Sequence, residues 1–195
     1  MSAASASAGD AAPSAKGPIE CCDVSLERYE HWEVDLEAGY LWRFRSADTP
    51  LDYEIAPVML TVKAPPHFIV HAWGKPLVVR PRMSLLAEAI TEGPESHYLG
   101  FSWAPEAALW ITEDTNLFFS AGGGIGWIDS GDVEGGQGQD MTLNWFIHGG
   151  VRHFLSDDFC VSAGFYFQHN SNGGRTDPNP GLDTLGAMVG VGWTF

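Results

Sequence analysis

Between Phe165 and Asp183 the chain reads Phe-Tyr-Phe-Gln-His-Asn-Ser-Asn-Gly-Gly-Arg-Thr-Asp-Pro-Asn-Pro-Gly-Leu-Asp. Three of these side chains, His169, Ser171 and Asp183, together hold the parts of an ester hydrolase. A serine hydroxyl attacks a carbonyl poorly until a base takes its proton, and an imidazole does this best when a carboxylate fixes its tautomer and stabilises the imidazolium. Residues two apart on a strand point to the same face, with Cα atoms roughly 6.5 to 7 Å apart. His169 and Ser171 therefore work together if a strand carries them both, and Asp183 joins them if the next strand runs back beside it.

The surrounding sequence supplies such strands. Eight stretches of strand length begin near Glu33, Tyr53, Leu77, Ser96, Asn116, Met141, Phe159 and Thr184, separated by turn-like residues, as in an antiparallel meander. In the last, Leu185, Ala187, Val189, Val191, Trp193 and Phe195 share one face, and Thr184, Gly186, Met188, Gly190, Gly192 and Thr194 the other. The first sets Val34, Leu36, Ala38, Tyr40, Trp42 and Phe44 against Glu33, Asp35, Glu37, Gly39, Leu41, Arg43 and Arg45. The third puts Arg80, Arg82, Ser84 and Glu88 opposite Leu77, Val79, Met83, Leu85 and Ala87, so opposite charges are available to pair.

Alternation alone does not say which face is inside, because a soluble lipocalin-like barrel turns its apolar face inward. Glycines beside arginines and carboxylates suit the crowded lumen of a small membrane barrel, and Tyr40, Trp42, Trp127, Trp193 and Phe195 at strand ends suit interfacial girdles. The expected fold is therefore all-β: an eight-stranded antiparallel up-and-down transmembrane β-barrel over residues 30–195, preceded by a flexible tail over 1–29. No run reaches the roughly 18 apolar residues of a membrane helix, so a membrane-spanning chain of this kind spans with strands. Long polar connections, Asp129 to Asp140 and Asn170 to Asp183, belong outside the cell, and the short Ser156 to Asp158 turn in the periplasm. The connection from Pro65 to Pro76, with its mostly apolar stretch His67 to Trp73, is too long for the short turn this scheme requires there.

By the same parity Phe159, Val161, Ala163, Phe165, Phe167, His169 and Ser171 form the lipid-facing row of the seventh stretch, and Asp183 falls in the outward row of the eighth. Polar groups in such a row are costly without partners or function. A site there meets a substrate lying in the membrane.

At this point the sequence resembles the lipid A 3-O-deacylase (PagL) family of outer-membrane barrels. The resemblance rests on His169-x-Ser171-Asn172, a small-residue turn, then Pro178-Asn179-x-Gly181-x-acid and a final strand ending on an aromatic residue. It implies a carboxylic ester hydrolase with Ser171 as nucleophile, His169 as general base and Asp183 as orienting acid, where the family pattern has Glu. It also implies oxyanion or substrate-positioning roles for Asn172, Asn179 and nearby backbone N–H groups, Gly173 among them. No metal or other cofactor is expected, and the implied substrate is lipid A or another acylated outer-leaflet lipid. The alternative is a non-enzymatic small outer-membrane barrel in adhesion or envelope structure. A homodimer is compatible with either reading.

Composition limits the other possibilities. A net charge of -15, with ten scattered Lys and Arg, argues against nucleic acid. Met1 to about Pro18 is rich in Ala, Ser, Gly and Pro but lacks the basic start and apolar stretch of a secretory signal, so the expectation is an exported chain whose signal is absent from this sequence. Of the three cysteines, adjacent Cys21 and Cys22 are poorly placed to bridge each other. Free thiols are the default, and one of the two pairing with Cys160 is the sharper expectation. Gly122 to Gly126 has no following Lys and no strand-to-helix transition, so lumen packing explains it better than phosphate binding. His67 and His71 lack the glutamate of a zinc-protease helix, and Asp129, Asp132, Glu134 and Asp140 lack the spacing of a calcium loop.

Overall fold

The computed structural model describes residues 30–44 and 52–195. These form β1 (Glu33–Arg43), β2 (Glu54–Lys63), β3 (Phe68–Ala72), β4 (Lys75–Glu92), β5 (His97–Trp110), β6 (Thr115–Ile128), β7 (Met141–Phe154), β8 (Phe159–Ser171) and β9 (Leu182–Thr194), with no helix among the described residues. Eight of the nine strands close a ring in the order β1, β2, β4, β5, β6, β7, β8, β9, every neighbour antiparallel, with β9 returning to β1.

The register fixes the slant of the strands. One outward row starts at Val34 and passes through Val62, Met83, Trp103, Gly123, Trp145, His169 and Asp183. It returns to the end of β1 at Phe44, whose N–H donates to the Asp183 carbonyl, so the row has climbed from 34 to 44, ten residues. An eight-stranded barrel with that stagger has strands tilted by about 40° to its axis.

The barrel is inverted relative to a soluble one. Leu85, Leu99 and Val189 on the outside are 57%, 55% and 62% exposed, while Lys63 and Glu106 inside are fully buried. Inside, Glu33, Asp35, Glu37 and Glu106 meet Lys63, Arg80, Arg82 and Arg152, four carboxylates against four basic groups. Lys63 lies 2.7 Å from Glu33 and is also paired with Asp35, Arg80 is paired with Glu33, and Arg152 grips both oxygens of Glu106 at 3.0 and 3.3 Å. Removing one member of such a buried set leaves its partners uncompensated and costs about 3–5 kcal/mol. Arg152→Met is accordingly expected to lower the urea midpoint in lipid vesicles without changing the slope; an unaltered midpoint would show that the cluster contributes nothing to stability.

The glycine-rich lumen face has a steric cause. A Cβ on Gly126 would stand 2.1 Å from the Tyr98 hydroxyl, and one on Gly124 1.8 Å from the Phe101 carbonyl oxygen. Gly122, Gly124 and Gly126 thus pack closely on the lumen side, as their sequence context implies.

The long Pro65 to Pro76 connection is a β-hairpin, which is why there are nine strands where the periodicity gives eight. β3 pairs with the start of β4, beyond the reach of β2, and Trp73 and Gly74 turn the corner with φ of 52° and 74°. Ile69 packs on the cluster of Val78, Trp110, Phe154 and Cys160 that closes the short-turn end of the lumen. His71 sits on this strand, not on a helix. Cys160 is buried in that cluster, while Cys21, Cys22 and the proposed pairing lie outside the described residues.

Candidate active site

β8 continues to Ser171 because its alternation is unbroken to that point: Tyr166, Gln168 and Asn170 are buried in the lumen, and Phe165, Phe167 and His169 look out. β9 begins at Leu182, and the register sets Asp183 directly across from His169. The Nδ1 of His169 lies 2.6 Å from Oδ1 of Asp183, with the imidazole side chain 28% exposed and the carboxyl 11%. That contact fixes the Nδ1–H tautomer and leaves Nε2 to act as a base.

Ser171 stands on the same outward face, two residues beyond His169, opposite Leu143 of β7. Its hydroxyl makes no hydrogen bond among the described residues, so it is free to rotate about χ1. Nucleophile-to-base contacts are commonly loose without substrate. The structure therefore joins the Asp183 carboxylate to the His169 imidazole and sets Ser171 two residues along on the same face.

The loop from Asn172 to Gly181 is organised by Asn172, which is completely buried. Its amide nitrogen donates to the carbonyls of Gln137, Thr176 and Pro178 at 2.7, 2.8 and 3.1 Å, and its side-chain oxygen accepts from Gly174 and Arg175 N–H. Its own N–H goes to Asn179 Oδ1 at 2.9 Å. Both ends of the Asn172 side chain are thus occupied in shaping the loop. Gly173, at φ 68°, has an N–H with no acceptor among the described residues.

Two further residues belong to this place. Trp145 on β7 is the register partner of His169 and stacks on it, with ring centroids 5.8 Å apart at 28°. Counting back from the Ser156 to Asp158 turn would have found it, because that turn sets the β7–β8 register. Gly181 has φ 67°, and a Cβ there would lie 3.3 Å from Cε1 of His169. A left-handed conformation costs an L-residue about 1–2 kcal/mol, and the new methyl presses on the imidazole. Gly181→Ala is expected to displace the His169 ring in a folded barrel, read as a shift of its imidazole NMR signals; unmoved signals would detach Gly181 from the site.

Two acids of the 129–140 loop, Asp129 and Asp140, cap backbone. Asp129 accepts from the N–H groups of Ser96 and His97 and from the Ser96 hydroxyl, and Asp140 accepts from Ser130 and Gly131 N–H. Slight removal from water, which alone raises the Asp129 pKa, is outweighed by these donors, so the carboxyl is held down to about 2. A depressed pKa contributes stability that is present above the unfolded value near 3.9 and lost as pH falls through the folded one. The loop is therefore expected to stay capped to about pH 2, read as Ser96 and His97 amide protection factors, relative to intrinsic exchange, that are unchanged between pH 6 and 4; loss of protection at both amides at pH 4 would contradict it. The same loop braces the candidate site through Gln137 and the approach of Gly138 to Pro178.

A sequence model of the lipid A 3-O-deacylase (PagL) family matches residues 83–192, more than half of the chain, including all of β5 to β8 and both loops around His169 and Ser171. The chain belongs to the lipid A 3-O-deacylase (PagL) family. Among solved structures it is similar to the outer membrane enzyme PagL, at 15% identity and a TM-score of 0.62, covering 81% of this chain and 97% of that one. It is also similar to Neisserial surface protein A (NspA), at 13% identity and 0.54, covering 84% and 97%. At these identities both likenesses speak for the fold. No curated protein matches the chain at a significant level. As a PagL-family barrel the protein lies in the bacterial outer membrane, so its apolar wall faces lipid, and the end carrying His169, Ser171 and Asp183 is the extracellular one.

Proposed function

We propose that this protein is an outer-membrane serine esterase that releases an ester-linked acyl chain from lipid A at the outer leaflet. The observation that carries the reading is the 2.6 Å contact between His169 Nδ1 and Asp183 Oδ1 on the lipid-facing wall. A carboxylate and an imidazole in the outward row at the edge of the hydrocarbon are costly there without a partner or a function, and the contact prepares a base on the face that carries a serine. In the first step Ser171 Oγ attacks the ester carbonyl as His169 Nε2 takes its proton. Asp183 stabilises the imidazolium. The oxyanion meets the Gly173 N–H, with the Asn179 amide as the second donor available at that edge of the loop.

The sugar alcohol leaves with the proton from His169, giving an acyl-serine. His169 then deprotonates a water that attacks this ester, and the fatty acid and free Ser171 result. Trp145 keeps the ring in plane through both steps, and its face favours the imidazolium. Exposed Arg175 offers the loop's positive charge to a phosphorylated headgroup.

The test is mass spectrometry of purified lipid A incubated with the folded protein. The reading expects a product lighter by the mass of one fatty acid less one water, together with the free fatty acid. Unchanged lipid A in a preparation whose folding has been verified would refute it.

A further inference from the structure

The outer wall carries a groove of about 680 Å³ across β2 to β7. Leu85, Phe101 and Ile125 form one bank, Ala87 is the small residue that leaves the gap, and Trp127 and Met141 close the upper end. The bank is part of a single cross-strand row: Leu85 pairs with Phe101, Phe101 with Ile125, Ile125 with Leu143, and Leu143 with Ser171. The row therefore ends on the proposed nucleophile. Because the strands tilt by about 40°, it descends by roughly 3 Å per strand away from Ser171, so the groove runs from headgroup level down into the hydrocarbon.

On this row its nearest residue, Ile125, is two strand spacings from Ser171, about 10 Å along the sheet, and Leu143 stands between them. A chain whose carbonyl is bonded to Ser171 has a nearer path down the aromatic surface of Trp145 and Phe167, whose rings are 5.0 Å apart. We infer that the groove holds a second, uncut acyl chain of the same substrate molecule, so that the site selects lipids bearing several chains on one headgroup. This inference rests on the esterase reading above. The occupant arrives from lipid and not from water, so burying it gains little by hydrophobic transfer; the groove acts by packing and by orienting the headgroup over Ser171.

Ala87→Trp fills the gap with an apolar side chain on a lipid-facing position. Its preference for a tetra-acylated lipid over p-nitrophenyl butyrate, as the ratio of kcat/KM values, is expected to fall about ten-fold. Val189→Trp, equal in bulk on the β9 wall, leaves the ratio unchanged. An unaltered ratio in Ala87→Trp would overturn the inference. Crosslinking supplies a readout independent of turnover: a tetra-acylated lipid with diazirines in its chains, held by Ser171→Ala protein in detergent, is expected to label β4 to β6 peptides around Leu85 and Phe101. Labelling spread evenly round the wall means that only bulk lipid occupies the groove and also overturns it. Wild-type protein that is folded yet hydrolyses neither substrate would instead refute the esterase reading, and hydrolysis surviving in Ser171→Ala would remove Ser171 as its nucleophile.

Discussion

Ser171→Ala is expected to abolish acyl release, by at least about a thousand-fold in kcat, while the barrel folds as before. The side chain is half-exposed and makes no hydrogen bond among the described residues, so its loss leaves no buried group unsatisfied. Surface changes of this kind alter stability by less than about 0.5 kcal/mol. The two readouts are fatty-acid release and the heat-modifiable mobility of the folded barrel on gels. Activity retained within ten-fold would remove Ser171 from the mechanism.

Asp183→Asn should be nearly as severe, on the order of a hundred- to ten-thousand-fold. The substitution preserves shape but removes the charge that stabilises the imidazolium, and the amide can present its NH2 to Nδ1 and so select the wrong tautomer. Asp183→Glu is a finer test. The family pattern has Glu at this position, but here Asp already reaches the imidazole at 2.6 Å because strand register sets it directly opposite. An extra methylene must fold back or push the ring against Trp145, so Glu is expected to fall between wild type and Asn in kcat. Asn equal to wild type would mean that the contact is structural only.

The shorter acid also shows what is legible in the sequence alone. Parity along β8 and β9 placed His169, Ser171 and Asp183 on one outward face, because a period of two leaves little freedom once one face is lipid and the other a charged lumen. The lumen pairing followed from the same alternation. The possible use of Asn172 as an oxyanion donor comes from resemblance; the structure shows its amide spent on three loop carbonyls, one of them, Gln137, on a separate loop that no local pattern connects to it. The β3–β4 hairpin was hidden for a different reason. Its turn is Trp73-Gly74, with positive φ on a tryptophan, where the usual sequence signal is Asn-Gly or Asp-Gly. Trp145 was unmarked because nothing in its own segment distinguishes it from other outward aromatics; only the β7–β8 register brings it to His169.

The central claim is that Ser171 is a nucleophile activated by His169 on the lipid-facing wall. A fluorophosphonate probe applied to the folded protein in lipid, followed by peptide mass spectrometry, reads this directly. The account predicts one dominant adduct, on Ser171, that disappears in His169→Ala. Absence of that adduct in folded protein, or an adduct that persists without His169, would contradict it.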